Sequence, residues 1–282
     1  MIGKKLTVRD IIDLKGSGEK IVVLTAYDAS FARFLDRNGV EIVLVGDSLG
    51  MVALGYESTV PVTMEEMLHH SRAVKHGVER ALLVGDMPFL SYQVDKREAI
   101  GNAGRFLKEA GCDAVKVEGG LEICETVAAM VRAGIPVMGH IGLTPQTAGA
   151  LGGYKVQGRD AESARRLLAE AKGLAEAGAF AIVLECIPDK LAAAITASIS
   201  IPTIGIGAGP QCDGQVLVIY DLLGMFEKFV PSFVKQYANL APQIAGAIAA
   251  FRDEVKAGAY PDAEHSFVMQ GEVEDLLRQG KG

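Results

Sequence analysis

Short runs of β-branched and aliphatic residues recur along the chain, each followed by a longer amphipathic stretch. Runs at 21–28, 42–47, 81–86, 114–118, 136–141, 181–186 and 202–207 predict strands, and a fainter run at 216–221 predicts an eighth. Gly, Pro or Asp bounds most of them. Most are continuously apolar, the pattern of parallel strands covered on both faces. Segments 30–38, 64–75, 96–110, 121–133 and 161–177 have helical periodicity. Several end at Gly111, Gly134 or Gly178, the residue type that best tolerates the left-handed backbone closing a helix. A leading helix over 7–14 and a helical region over 232–255 stand outside the alternation. Strand–helix alternation with short connections builds a parallel sheet with right-handed crossovers. Eight such units close most simply into an α/β (β/α)8 TIM barrel; an open doubly wound sheet is the alternative.

Composition narrows this further. The 282 residues are near the roughly 250 typical of one such barrel, and no Ser-, Pro- or charge-rich linker divides them. Apolar residues make up 49%, aromatics only 6%, and Trp is absent, so Val, Ile, Leu and Ala must fill the core. The net charge of −7 comes without any Lys/Arg stripe, which argues against a nucleic-acid or anionic-membrane partner. Cys112, Cys124, Cys186 and Cys212 form no CxxC pair and read as reduced thiols. No secretory leader pattern opens the chain, and no apolar run reaches the roughly 18 residues of a membrane span. A cytoplasmic protein is expected.

Active sites of (β/α)8 barrels form at the C-terminal ends of the strands, and ionisable residues collect there in this chain. The second strand ends in Asp47 and Ser48, the third in Asp86, the fourth in Lys116 and Glu118, the fifth in His140 and the sixth in Glu185. Each has a bland reading. Asp47 and Asp86 suit helix caps; Lys116 and Glu118, two apart on one strand face, suit an ion pair; Glu185 suits a partner for Lys116; His140 suits a structural role. Together they would bring three or four carboxylates to one mouth, where they repel unless something positive sits among them. A divalent cation with oxygen ligands, such as magnesium, meets that need; without a Cys–His cluster, zinc does not. The glycines at 205–209 break the dinucleotide pattern and precede Pro210, so they predict a tight turn. His69 and His70 read as a solvated helix face. The Gly-rich stretch 142–159, with Tyr154, Lys155 and Arg159, has the length of a mobile lid.

These residues lie in an ordered series of motifs: TAYD at 25–28, LVGDSLGM at 44–51, VKVEGG at 115–120, GHIGLTPQ at 139–146 and GGYKVQGR at 152–159. LECIP at 184–188, IGIGAG at 204–209, DGQ at 213–215 and EHSF at 264–267 continue it. The series resembles the ketopantoate hydroxymethyltransferase family over roughly residues 5–267. The resemblance implies a barrel of the phosphoenolpyruvate/pyruvate superfamily type and a magnesium-dependent, folate-using activity. A hydroxymethyl group passes from 5,10-methylenetetrahydrofolate to 3-methyl-2-oxobutanoate, giving 2-dehydropantoate for pantothenate synthesis. By the same resemblance Asp47 and Asp86 bind magnesium, and Glu118 completes the metal shell, partly through water. Ser48 and Lys116 contact the 2-oxo acid beside Asp47 and Asp86, with His140 close to that site, and Glu185 is the proton acceptor. Homodecamers are implied as well. Residues 1–268 then form one barrel domain with an N-terminal helix and a C-terminal helical extension, and 269–282 a tail without an assigned role. Two rivals use the same residues: a carbon–carbon lyase, which commonly carries a loop cysteine that 142–159 lacks, and an inactive ring-forming or ligand-binding protein.

Overall fold

A computed structural model of the chain describes residues 4–150, 152–269 and 271. In chain order the elements are α1 (Val8–Asp13), β1 (Ile21–Thr25), α2 (Ala29–Arg37), β2 (Ile42–Val45), α3 (Leu49–Val52), α4 (Met64–Lys75) and β3 (Leu82–Asp86). Then come α5 (Lys96–Glu109), β4 (Ala114–Glu118), α6 (Cys124–Arg132), β5 (Val137–Gly142), α7 (Ala161–Glu176) and β6 (Ala181–Glu185). The series closes with α8 (Asp189–Ser198), β7 (Thr203–Ile206), β8 (Gly214–Leu217), α9 (Ile219–Leu222) and α10 (Ala241–Ala257). All eight strands pair in parallel and in chain order, and β8 returns to β1. The sheet is a closed barrel, so the open-sheet alternative falls.

Side-chain alternation sorts each strand into two layers. Ile42 and Leu44, Leu82 and Val84, Ala114, Met138, Ala181 and Val183 pack inside the barrel, whereas Val43, Val45, Leu83, Val115, Val117, Ile182 and Leu184 pack against the helices. Ile11 of α1 joins the inner cluster, so the leading helix closes the N-terminal mouth. On β3 the alternation carries inward to Asp86, on β4 to Lys116 and Glu118, on β5 to His140 and on β6 to Glu185. Apolar residues fill the lower layers, and charge is confined to the open end.

Helix starts follow local chemistry. Asp28, Asp95 and Asp160 cap α2, α5 and α7 with side-chain oxygens, and Thr63 with Glu66 forms a capping box on α4. This explains why β1 stops at Thr25, short of the expected 28: Asp28 belongs to the cap. Buried Asp36 of α2 accepts the backbone N–H groups of Glu79, Arg80 and Ala81, pinning the chain just before β3. Two expectations fail at the C-terminal side. The eighth strand spans 214–217, not 216–221, because the Thr25 hydroxyl oxygen accepts the Ile219 N–H at 3.0 Å and the chain turns into α9. The last helix begins at Ala241, not at 232, because Pro242 lacks the N–H that a helix interior needs and is tolerated only in the first turn, where it stands. Most of the 269–282 tail lies outside the described residues. Among those that are described, no helix is long and apolar enough to cross a membrane.

Candidate active site

The expected residues converge. Asp47, Ser48, Asp86, Lys116, Glu118, His140 and Glu185 all line one cavity of about 360 Å³ at the C-terminal mouth. Strand register brings them together: Asp86 pairs with Lys116, Glu118 with His140, and Gly142 with Glu185. Lys116 Nζ donates to both oxygens of Asp86, at 2.7 and 2.8 Å, and lies 3.6 Å from Glu118 Oε1. Further round, His140 Nδ1 is 3.4 Å from Glu118 and Nε2 is 3.2 Å from Glu185. These contacts are close but misaligned, and neither ring nitrogen makes a well-formed hydrogen bond. The result is a buried file of alternating charge, Asp86–Lys116–Glu118–His140–Glu185.

The bland readings can now be separated. Neither Asp47 nor Asp86 caps a helix; Asp86 accepts the Asp47 backbone N–H at 3.2 Å. The Lys116 partner is Asp86, not Glu185, and Glu185 stands beside His140. Two residues overlooked as site residues complete the frame. Gln146 donates its side-chain amide to Asp47 Oδ2 at 3.0 Å and to the Met87 carbonyl at 2.9 Å, and its backbone N–H to Glu118 at 3.0 Å. Tyr92 shares its hydroxyl with Gln146 at 2.8 Å and accepts the Glu118 N–H at 2.9 Å. The GHIGLTPQ motif contained Gln146; no local signal marked Tyr92. Ser48 Oγ lies 2.9 Å from the Tyr27 hydroxyl.

Burial and charge set the protonation states. Burial raises the Asp47 carboxyl well above its ordinary value, reinforced by Asp86 and Glu118. Burial raises Asp86 too, against the pull of Lys116. Burial also works against ionisation of Glu118, but Lys116 and His140 outweigh it and lower its pKa. Lys116 stays charged: burial opposes the ammonium, and Asp86, Glu118 and Asp47 more than compensate. For His140, burial and the Lys116 charge both resist a proton, yet Glu118 and Glu185 raise its pKa to about 9.

The carboxylates of Asp47, Asp86 and Glu118 outnumber the Lys116 ammonium they share, an imbalance that a divalent cation would relieve. Among the described residues no three carboxylate, imidazole or thiol groups form a ready-made metal cage, so the expected three-acid shell is not preassembled. Magnesium sites commonly use one or two carboxylates and fill the rest with water and substrate. The Asp47–Asp86 pair fits that mode, with Glu118, held by Gln146, in an outer position.

The rim is shaped by backbone. Cys186, directly after Glu185, has φ of 48°, a left-handed conformation rare outside glycine. Its N–H donates to Ile206 O and its carbonyl accepts Gln157 N–H, both at 2.9 Å. The second of these bonds fastens the 142–159 stretch to the end of β6. Burial pushes the Cys186 thiol up to about 12, so it offers no thiolate nucleophile. Tyr154 and Lys155 line the cavity, whereas Arg159 is exposed and stands outside its lining.

Comparison with known proteins agrees with this architecture. A phosphoenolpyruvate phosphomutase from Streptomyces platensis subsp. rosaceus superposes with a TM-score of 0.60 at 17% identity, over 98% of this chain and 96% of its own. A 2,3-dimethylmalate lyase, a PEP mutase/isocitrate lyase superfamily member, gives 0.57 at 13% identity over 98% and 99%. Both share the barrel. Sequence speaks more specifically: a 3-methyl-2-oxobutanoate hydroxymethyltransferase of Desulfotalea psychrophila is 61% identical over 271 residues, 96% of this chain and 97% of its own. The model of the ketopantoate hydroxymethyltransferase family matches residues 5–263, from the helix that plugs the barrel floor to just beyond α10. With barrel, motifs and near-full-length identity in agreement, the chain belongs to the ketopantoate hydroxymethyltransferase family.

Proposed function

We propose that this protein transfers a hydroxymethyl group from 5,10-methylenetetrahydrofolate to 3-methyl-2-oxobutanoate, giving 2-dehydropantoate in pantothenate synthesis. The observation that carries the reading is the charge file ending in Glu185. One carboxylate faces the cavity beside an imidazole, while an ammonium and two further acids stand across the mouth. Asp47 and Asp86 are the residues that would hold magnesium, with Glu118 acting through water. When bound, magnesium polarises the 2-oxo group and lowers the acidity barrier at the neighbouring carbon. Lys116 supplies fixed positive charge where negative charge develops on the substrate oxygen. Glu185 accepts the C3 proton, and His140 orients it from the barrel side. Ser48 positions the oxo acid. The resulting carbanion equivalent forms the new C–C bond to the one-carbon unit, both carbon–nitrogen bonds to the folate break, water supplies the hydroxyl oxygen, and tetrahydrofolate leaves with its two nitrogens protonated. We assign the protein to the cytoplasm and to a homo-oligomer, with the decamer resting on family resemblance.

The first half of the reaction needs no folate, which allows a direct test. Wild-type protein with magnesium in D2O should exchange the C3 hydrogen of 3-methyl-2-oxobutanoate for deuterium. Glu185→Gln keeps the shape but not the basicity, so exchange should fall by roughly 10²–10⁴-fold, followed by the methine proton signal. Exchange near the wild-type rate in that variant would remove Glu185 from the role and leave His140 as the next base to examine.

A further inference from the structure

The cavity has a second end that the charge file does not use. Opposite β3–β6, its wall is formed by Val216 of β8, Val218, Phe226, Phe229 and Phe233. Phe233 is held in place by the turn after β7: a Cβ at Gly207 would come within 2.7 Å of its ring. Within this apolar wall stands one charged group, Asp221 of α9. It is 8% exposed, and among the described residues no side chain or backbone N–H donates to its carboxylate. Burial alone raises its pKa, to about 6, with no cation or donor to offset the cost. The group is therefore largely ionised at neutral pH.

A buried carboxylate that accepts no hydrogen bond and faces no cation is costly to keep. What satisfies it is a ligand with a flat face to lay against the Phe226, Phe229 and Phe233 side of the cavity and two adjacent N–H donors, the geometry a carboxylate accepts in parallel. The donor substrate proposed above has such an edge in its 2-amino-4-oxo pterin ring.

The geometry points to Asp221 as the residue that recognises the donor substrate, by accepting paired N–H groups from the amidine-like edge of its fused heterocycle. This inference rests on the folate reading above. The heterocycle lies against Phe226, Phe229 and Phe233, and its one-carbon unit extends toward the charged end where the oxo acid is held.

Asp221→Asn tests it, because the amide loses the charge and presents an N–H where an acceptor is needed. The KM for methylenetetrahydrofolate should rise roughly 10- to 100-fold, the range expected for lost hydrogen bonds to a charged group. The KM for the oxo acid and the folate-free C3 exchange should stay within about twofold of wild type, since Asp221 makes no hydrogen bond or ion pair with Lys116, Glu118, His140 or Glu185. A donor KM left unchanged, or an exchange rate that falls in step with turnover, overturns the assignment. Wild-type protein gives a second measure that needs no variant. Calorimetric titration with tetrahydrofolate and with an analogue carrying methyl in place of the 2-amino group should show roughly tenfold or greater preference for the amino form. Equal affinities overturn the assignment. Both titrations read binding, so they judge Asp221 separately from the exchange experiment that judges the base.

Discussion

Asp86 does two things at once, and they have to be separated in any experiment on it. Its carboxylate holds Lys116 with both oxygens inside the barrel and is also one of the two acids we assign to magnesium. Truncation to Ala would leave a buried ammonium without its partner, a change that typically costs about 3–5 kcal/mol. Asp86→Asn keeps volume and one acceptor oxygen and is the better probe. It should weaken magnesium and oxo-acid binding together by at least roughly tenfold, since a charged ligand is lost, with the circular dichroism spectrum unchanged. Oxo-acid affinity in saturating magnesium equal to wild type would remove Asp86 from the metal role. At this scale the sequence was informative about identity and silent about pairing. Position at a strand end marked Asp47, Asp86, Lys116, Glu118, His140 and Glu185, because strand periodicity is local. It could not say that Lys116 meets Asp86, or that Gln146 reaches Asp47 from 99 residues away.

The strands show how an element places a side chain. β5 and β6 meet at the rim where Gly142 pairs with Glu185, and φ at Gly142 is 96°. A Cβ there would stand 2.2 Å from the Glu185 carbonyl oxygen, so β5 and β6 can approach here only because position 142 has no side chain. Gly134, with φ of 87° and nothing within 4 Å, has the same conformational demand in open space. The two therefore separate strain from contact. Gly134→Ala should cost about 1–2 kcal/mol, seen as a lower Tm with exchange activity retained. Gly142→Ala should also displace the rim and lower C3 exchange by at least roughly tenfold, since small misplacements of a reacting group are expensive. Equal exchange in both variants would show that the rim does not need this contact. The strand cores were legible from apolar runs, and β4 matches its expected span of 114–118 throughout. Strand and helix ends were less so, because caps such as Asp28 and the Thr25–Ile219 hydrogen bond act on the chain from beyond the periodic pattern. α3, α8 and α9 were not anticipated.

At the scale of the molecule, α10 is the one long helix among the described residues that buries none of its side chains. None of its 17 residues is buried, yet Ile244, Ile248, Phe251 and Val255 recur at helical spacing with exposures of 42%, 64%, 56% and 47%. Such a stripe normally marks a face that buries against something, and the homo-oligomer we propose supplies a second copy to cover it. Wild-type protein should sediment as an assembly at micromolar concentration, and paired Ile248→Glu and Phe251→Glu changes should shift it to smaller species. A wild-type monomer would contradict the assembly, and an unshifted variant would move the contact elsewhere. The sequence by itself determined the α/β repeat, its inward and outward layers and the gathering of ionisable groups at one mouth, because each depends on periodicity within a few residues; that the sheet closes was decided by the pairing of β8 with β1. Only the tertiary structure decided how those groups divide the mouth. Barrel closure sets the distances between ends of strands far apart in the chain, and so pairs Lys116 with Asp86, places His140 between two glutamates, and leaves Asp221 alone in an apolar wall.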